Sequence, residues 1–241
     1  MKLEIDRETL RSVATQSALF FGLSDQQATL LLAAATMRQV QSGSVLFHQG
    51  DAPDRLIQVV SGLVRMTHID SDGTQTTLRI VRSGGLVGCV AALQQFPYPA
   101  TANAIEDLVV LTWPSSQFIE LMTRHRILME NALRIVSGRT KDMVERVIEM
   151  SSKRVEQRIA ASLLRLAAQA GTKTNDGIHI EFPVTRDDLA EMAGLTYFTI
   201  SRTLSLWQKQ GLLKGGRQRM TILDPVRVKE IAMARTPIDQ A

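Results

Sequence analysis

The sequence predicts an α+β chain, and three observations carry that prediction. Between Gln39 and Trp113, glycines recur at short intervals (Gly43, Gly50, Gly62, Gly73, Gly84, Gly85 and Gly88) with strand-like apolar runs between them. From Ser115 to Ser151 the only helix breaker is Gly138, and apolar residues recur at spacings of three and four. From Thr185 to Leu213, TRDDLAEMAGLTYFTISRTLSLWQKQGLL reads as two short helices joined by a tight turn. Many short strands with regular turns suggest a small sandwich or barrel. The helical spacing gives one long helix. The last pattern is a helix-turn-helix, a device that sets one helix in a DNA major groove.

The elements follow in chain order. The N-terminal stretch is helical, with Ser24 capping a helix that carries Leu30, Leu31 and Leu32. Strands are expected at Val45–Phe47, Leu56–Val60, Leu63–His68, Thr76–Val81 and Leu108–Trp113, with a turn at Asp70-Ser71-Asp72-Gly73. Pro114 closes this region. The long helix carries Leu121, Leu128, Met129, Ala132, Leu133, Val136, Met143, Val147 and Met150. Such a series serves either the core of one domain or a seam between two copies. Its length, and the need of a helix-turn-helix for two half-sites, favour the seam. A second helix, Ser152–Gln169, sets Val155, Ile159, Leu163, Leu164 and Leu166 on one side. Gly171 to Gly177 is a turn-rich break. Ile178–Phe182 and Arg219–Leu223 pair as a small sheet with Gly215-Gly216 as hinge, and Thr236–Ala241 frays. The expected domains are 1–114, 115–151 and 152–241.

Composition narrows the function classes. The net charge of +4 is unevenly placed: residues 1–150 sum to −1 and residues 151–241 to +5. The excess lies in the half with the helix-turn-helix, as a phosphate-binding surface requires. No apolar run approaches the ~20 residues that span a bilayer, and the start MKLEIDRETLRSV lacks the apolar stretch of a signal peptide. The single cysteine, Cys89, excludes an intrachain disulfide, so a cytoplasmic location is expected. No glycine-rich phosphate loop, zinc-ligand spacing or nucleophile elbow supports an enzyme. A small-molecule-binding module without DNA affinity is the other alternative.

The reading head is specific. Thr185 and Asp188 form a capping-box start for the first helix. Ala190 and Gly194 are small, which lets helices cross closely and the chain turn sharply. Thr196 caps the second helix, Tyr197–Gln210, whose inner face is Ile200, Leu204 and Trp207. Its outer N-terminal face presents Tyr197, Phe198, Ser201 and Arg202. Arg202 has the fork for guanine O6 and N7, and Ser201 serves a base or a phosphate. Lys209, Lys214, Arg217 and Arg219 are placed for flanking phosphates.

With these residues in view, the chain resembles the CRP/FNR transcription regulators over nearly its whole length. FHQGDAPDRLIQVVSGLVRM and DGTQTTLRIVRSGGLVG resemble the family's β-roll, VEQRIAASLLRLA the helix opening its DNA-binding domain, and GLTYFTISRTL the recognition segment of the FNR branch. The resemblance implies an N-terminal cyclic-nucleotide-binding-like β-roll, a long dimerisation helix and a C-terminal winged helix-turn-helix. It also implies a homodimer that binds a palindrome in double-stranded DNA and recruits RNA polymerase, without membrane association.

Departures from the family shape the expected input. Cyclic-AMP binders of the family carry a Glu just after the β-roll glycine and an Arg about ten residues on. Here those positions hold Cys89, after Gly88, and Tyr98 or Pro99. An anionic nucleotide would lack its partners, so no cAMP response is expected. One cysteine cannot hold a four-cysteine iron–sulfur cluster. A haem needs one ligand and stays open, though His48, His68, His125 and His179 show no paired spacing. The sensor candidates are Cys89, as an oxidisable thiol or a small buried hydrophobe, and Tyr98. Many family members carry Glu where this chain has Phe198, so the half-site should keep the guanine read by Arg202 and differ beside it. This recognition segment is similar to the nitric-oxide-responsive NnrR-like branch, which implies denitrification genes.

Overall fold

The computed structural model describes residues 17–180, 184–216 and 219–234. The chain divides into two compact units, Met1–Thr74 with Arg79–Lys141 and Gln75–Leu78 with Asp142–Ala241.

The first unit is built on antiparallel strands. They are β1 (Thr36–Val40), β2 (Val45–Phe47), β3 (Arg55–Ser61), β4 (Val64–Ile69), β5 (Gln75–Val81), β6 (Leu86–Val87), β7 (Thr101–Ala104) and β8 (Leu108–Pro114). They form two four-stranded sheets, ordered β1-β8-β3-β6 and β2-β7-β4-β5. All five strand-like runs expected from the sequence are strands. β1, β6 and β7 were not legible, being exposed, two residues long, or Ala/Asn-rich.

Alternation sorts the side chains of β3 and β8 into two cores. Ile57, Val59, Leu108 and Val110 face one core with Phe47, Val64, Val87, Tyr98 and Ala102. Leu56, Val60, Val109, Leu111 and Trp113 face the other, with Leu19, Leu31, Cys89, Phe118, Leu128 and Ala132. Both faces of these strands are buried, which explains the near-continuous apolar runs LIQVV and LVVLTW. In β3 the register shifts between Val59 and Ser61.

Helices cover the second core. Ser24 caps α1 (Asp25–Ala33) in a capping box with Gln27, as its sequence predicts. Trp113 Nε1 donates to Leu31 O at 2.9 Å, so this buried ring leaves no orphan donor. After the short α2 (Cys89–Gln94), α3 (Ser115–Arg124) buries Phe118 and Met122. Here the structure corrects the expected unbroken helix. His125 is extended (φ −125°, ψ 91°), and α4 (Arg126–Ser152) starts afresh. The break lets Phe118 meet Trp113 edge-on at 6.1 Å and Leu128 reach the same core. No Pro or Gly marks it, because tertiary packing causes it.

The second unit adds α5 (Val155–Ala170), β9 (Gly171–Thr174), β10 (Gly177–Ile180), α6 (Arg186–Ala193), α7 (Tyr197–Lys209), β11 (Leu213–Gly216), β12 (Arg219–Ile222) and α8 (Pro225–Met233). α5 packs on α6 and α8 and buries Ile159, Leu163 and Leu166. Val155, expected on that face, is 41% exposed at the first turn. β10 pairs with β12, matching Ile178 to Ile222, as the sequence suggests. The stretch expected to be only a turn-rich break contains β9, paired with β10. Gly215 and Gly216 are not a hinge: they belong to β11, opposite Met220 and Arg219. The expected N-terminal helix before Ser17, the strand end at Phe182 and the frayed Thr236–Ala241 lie outside the described residues. No described helix is long and apolar enough to cross a membrane.

Candidate nucleic-acid interface and sensor core

The helix-turn-helix forms as its residues dictate. Thr185 Oγ1 accepts from Asp188 N at 3.0 Å, and Asp188 Oδ2 accepts from Thr185 N at 2.9 Å, so two orphan donors of α6 are satisfied reciprocally. Gly194 ends α6 at φ +61°, ψ 45°, a conformation that favours glycine. A Cβ there would stand 2.7 Å from Arg158 Nη2 and 3.0 Å from Met150 Cε, the far ends of two flexible side chains, so it is the positive φ that favours glycine. Thr196 Oγ1 accepts from Thr199 N at 3.3 Å and starts α7. Ile200, Leu204 and Trp207 are buried, which fixes the rotation of α7.

That rotation decides what α7 presents. Phe198 is 83% exposed, and its ring meets Tyr197 edge-on at 6.0 Å. An aromatic ring so exposed is unusual on a surface that binds only water. Arg202 is exposed and Ser201 half-buried, one helical turn from these rings. Lys209 and Lys214 are exposed at the end of α7 and in β11. Arg219 lies in β12, and Arg217 lies outside the described residues. The structure adds Arg186, which the sequence reading left out: its Nη1 donates to Ser201 Oγ at 2.7 Å. Its position at the start of α6 gives no linear signal of this contact across the motif.

The expected seam residues separate into two groups. Leu128 and Ala132 are buried in the first unit's second core, and Leu121 on α3 packs partly against it. Met129, Leu133, Met143, Val147 and Met150 are 51–67% exposed, and Val136 is intermediate. With Val136 and Thr140 these exposed positions run 129, 133, 136, 140, 143, 147, 150, an unbroken four-three alternation. That is heptad spacing on an exposed face, with Thr140 as a polar member. Leu121, Leu128 and Ala132 are therefore core residues, because α3 and the first turns of α4 roof the sheet.

The two sensor candidates lie in different cores. Tyr98, 1% exposed, stacks on Phe47 with centroids 3.8 Å apart and planes at 15°. Its hydroxyl donates to Arg55 O at 2.7 Å and accepts from Arg55 N at 3.2 Å. Burial pushes this phenol up to about 12. Neighbouring Asp54 is held below the usual carboxylate range by its hydrogen bond to the Arg55 guanidinium. Cys89, 3% exposed, faces the helices instead, and its Sγ accepts from Arg139 Nη1 at 2.6 Å. Arg139 Nη2 also donates to Leu86 O at 2.6 Å. A linear signal for Arg139 existed: positions 128, 132, 135 and 139 continue the inward face of α4. Among the histidines, His68 Nδ1 meets Pro99 O at 2.8 Å and His179 Nδ1 meets Thr221 Oγ1 at 3.1 Å. Among the described residues, no three His, Cys, Asp or Glu side chains are grouped to hold a metal ion.

A capped helix-turn-helix with an exposed reading face, on a chain that also carries a β-roll and a long helix, defines a DNA-binding transcription regulator. Residues 37–125 match the cyclic nucleotide-binding domain family, and residues 157–231 match the Crp-like helix-turn-helix domain family. The chain belongs to the CRP/FNR family of transcription regulators. It is 27% identical over 216 residues to the cyclic AMP receptor protein of Thermus thermophilus, covering 90% of this chain and 97% of that one. It is 27% identical over 195 residues to the transcriptional activator protein FnrA of Stutzerimonas stutzeri, covering 81% and 80%. FixK2 of Bradyrhizobium japonicum shares the fold with a TM-score of 0.73 at 21% identity, covering 84% of this chain and 99% of that one. The catabolite activator protein of T. thermophilus gives 0.53 at 27%, covering 90% and 98%. Proteins of this family bind DNA and act as dimers.

Proposed function

We propose that this chain is a homodimeric activator that binds a palindromic DNA site, recruits RNA polymerase, and answers nitric oxide or low oxygen rather than cAMP. The observation that carries the DNA-reading part is the outward set on α7: Tyr197, Phe198, Ser201 and Arg202, presented by a helix whose inner face is buried. Arg202 reads guanine, Phe198 packs on a thymine methyl, and Thr196, Lys209, Lys214, Arg217 and Arg219 serve the phosphates. The dimer reading rests on the exposed heptad of α4.

Independence from cAMP rests on the roll interior. Where a nucleotide-binding member offers a carboxylate and a guanidinium, this chain has the Cys89 thiol, turned toward the helices, and the Tyr98 ring inside the roll. Tyr98 fills the roll against Phe47, and its hydroxyl is engaged by the backbone N and O of Arg55 and, at 3.4 Å, by Asp54 Oδ1. The choice of nitric oxide or low oxygen rests on the resemblance of LTYFTISRTLSLW to the NnrR-like branch. The names of relatives, among them anaerobic regulatory proteins and fumarate and nitrate reduction regulatory proteins, agree with it.

Binding-site selection from random duplexes, with and without cAMP, tests the reading. The expected product is a palindrome with half-site centres one helical turn apart, about 10 bp, enriched equally in both conditions. Enrichment only with cAMP, or of single half-sites, would overturn it.

A further inference from the structure

We propose that the Glu149–Arg165 ion pair, with the grip of Arg158 on the helix-turn-helix turn, fuses the end of the long helix to the reading head and so fixes the half-site spacing the dimer accepts. The inference rests on the dimeric reading above. Asp142 to Ser152, the last turns of α4, belong to the same compact unit as α5 to α8. Met143, Val147 and Met150 of the heptad therefore lie in the same compact unit as the reading head.

Only Lys153 and Arg154 separate α4 from α5. Such a joint swings freely unless side chains brace it. Glu149, near the end of α4, pairs with Arg165, sixteen residues on in α5. Both side chains are 17% exposed. Lys153 Nζ, at the joint itself, stands 3.4 Å from the other Glu149 oxygen. Arg146, one turn earlier, donates to Leu78 O at 2.7 Å. Burial first, then repulsion from Arg165, hold Arg146 below its ordinary value, while Glu149 and Asp142 oppose that drop. Glu149 thus faces three half-buried cations. Its loss leaves them crowded, and the joint relieves the crowding by opening.

The second brace runs from α5 to the motif. Arg158 Nη2 donates to Ala193 O at 2.6 Å and Gly194 O at 2.8 Å. These are carbonyls at the C-terminal end of α6, where a cation is favoured. A Cβ on Gly194 would stand 3.0 Å from Met150 Cε, so the turn lies against the seam end of α4. Seam, joint and turn are linked in one chain of contacts: Met150 to Gly194, Gly194 to Arg158, and Arg165 back to Glu149.

Shifting one half-site by a base pair moves it by about 3.4 Å and turns it by about 35°. A rigid dimer rejects that, and a loosely jointed one follows it. The test measures Kd of the full chain for palindromes whose half-site separation is changed by one or two base pairs, and for a single half-site. The wild type is expected to prefer one spacing by tenfold or more. Glu149→Gln, and separately Arg165→Met, should flatten that preference to threefold or less, with half-site affinity within twofold and the dimer retained in sedimentation. An unchanged spacing profile in either variant overturns the inference. So does a parallel loss of half-site affinity, which would assign the pair to holding the head's fold. A wild type that sediments as a monomer overturns the dimeric reading, a failure distinguishable from these.

Discussion

Arg202 and Tyr98 show how surroundings set what a polar side chain does, one exposed and the other buried. Arg202 is exposed on a helix that cannot rotate, so its guanidinium is free for a base edge. Arg202→Ala should lose about 1–3 kcal/mol of specific binding, read as a rise of about fivefold to 150-fold in Kd for the selected site and tolerance of any base at the guanine. Replacing Phe198 by Glu should move selection toward cytosine at the neighbouring pair, because a carboxylate accepts from its amino group. Unchanged selectivity would remove Phe198 from the reading face. Tyr98 makes the contrary case. Its neutral form is favoured by burial, so its contribution to stability is complete below the unfolded value of about 10. That contribution is lost as pH rises toward about 12. The chain has two tyrosines, Tyr98 and Tyr197. Tyr197→Phe leaves Tyr98 as the sole phenol, and its absorbance titration should have its midpoint at about 12.

At the level of the helices, the apolar series of the 115–151 stretch is where linear pattern and structure diverge most instructively. Spacing alone cannot assign Leu128 and Met129 to different surfaces, since neighbours in sequence lie 100° apart on a helix with two apolar faces. The structure assigns them. Leu128 is 2% exposed and Met129 is 51% exposed. Two substitutions should therefore fail in different ways. Leu128→Ala should cost about 2–5 kcal/mol of stability in denaturant melts and leave the association state intact. Val147→Glu should leave the melting of the protomer little changed and dissociate the dimer in sedimentation, with loss of binding to the full palindrome. The recognition motif was legible almost completely, because caps at Thr185 and Thr196 and the inner face of α7 are local signals. The break at His125, the strand β9 and the Arg186–Ser201 contact were not, because long-range packing sets them. Tyr98 and Cys89 were legible as departures from a family pattern, but not as members of two different cores, which depends on strand parity and on where α2 turns.

For the whole molecule, the uneven charge, −1 over residues 1–150 and +5 over residues 151–241, belongs to the side that meets DNA. Affinity should fall steeply with salt, since each neutralised phosphate contributes a slope of about −0.9 in log K against log salt. Lys214→Ala should weaken selected and random duplexes alike and reduce that slope by about 1. A slope unchanged by the substitution would remove Lys214 from the phosphate contacts. The wing reading rests on more than charge: β11 and β12 pair in antiparallel register from Leu213–Ile222 to Gly216–Arg219.

The Tyr98–Phe47 stack also makes the protein open to synthetic control. Tyr98, 1% exposed, is a side chain of the protein's own that fills this part of the roll against Phe47. Trimming Tyr98 to Ala should cost about 3–5 kcal/mol and leave a void with Phe47 on its wall and the Arg55 backbone N and O unpaired at its end, a shape and polarity matched by a phenol. p-Cresol, the severed side chain itself, should then raise the melting temperature of the variant and leave the wild type unmoved. The regulator would thereby gain a guest chosen by the experimenter and addressed through a single substitution.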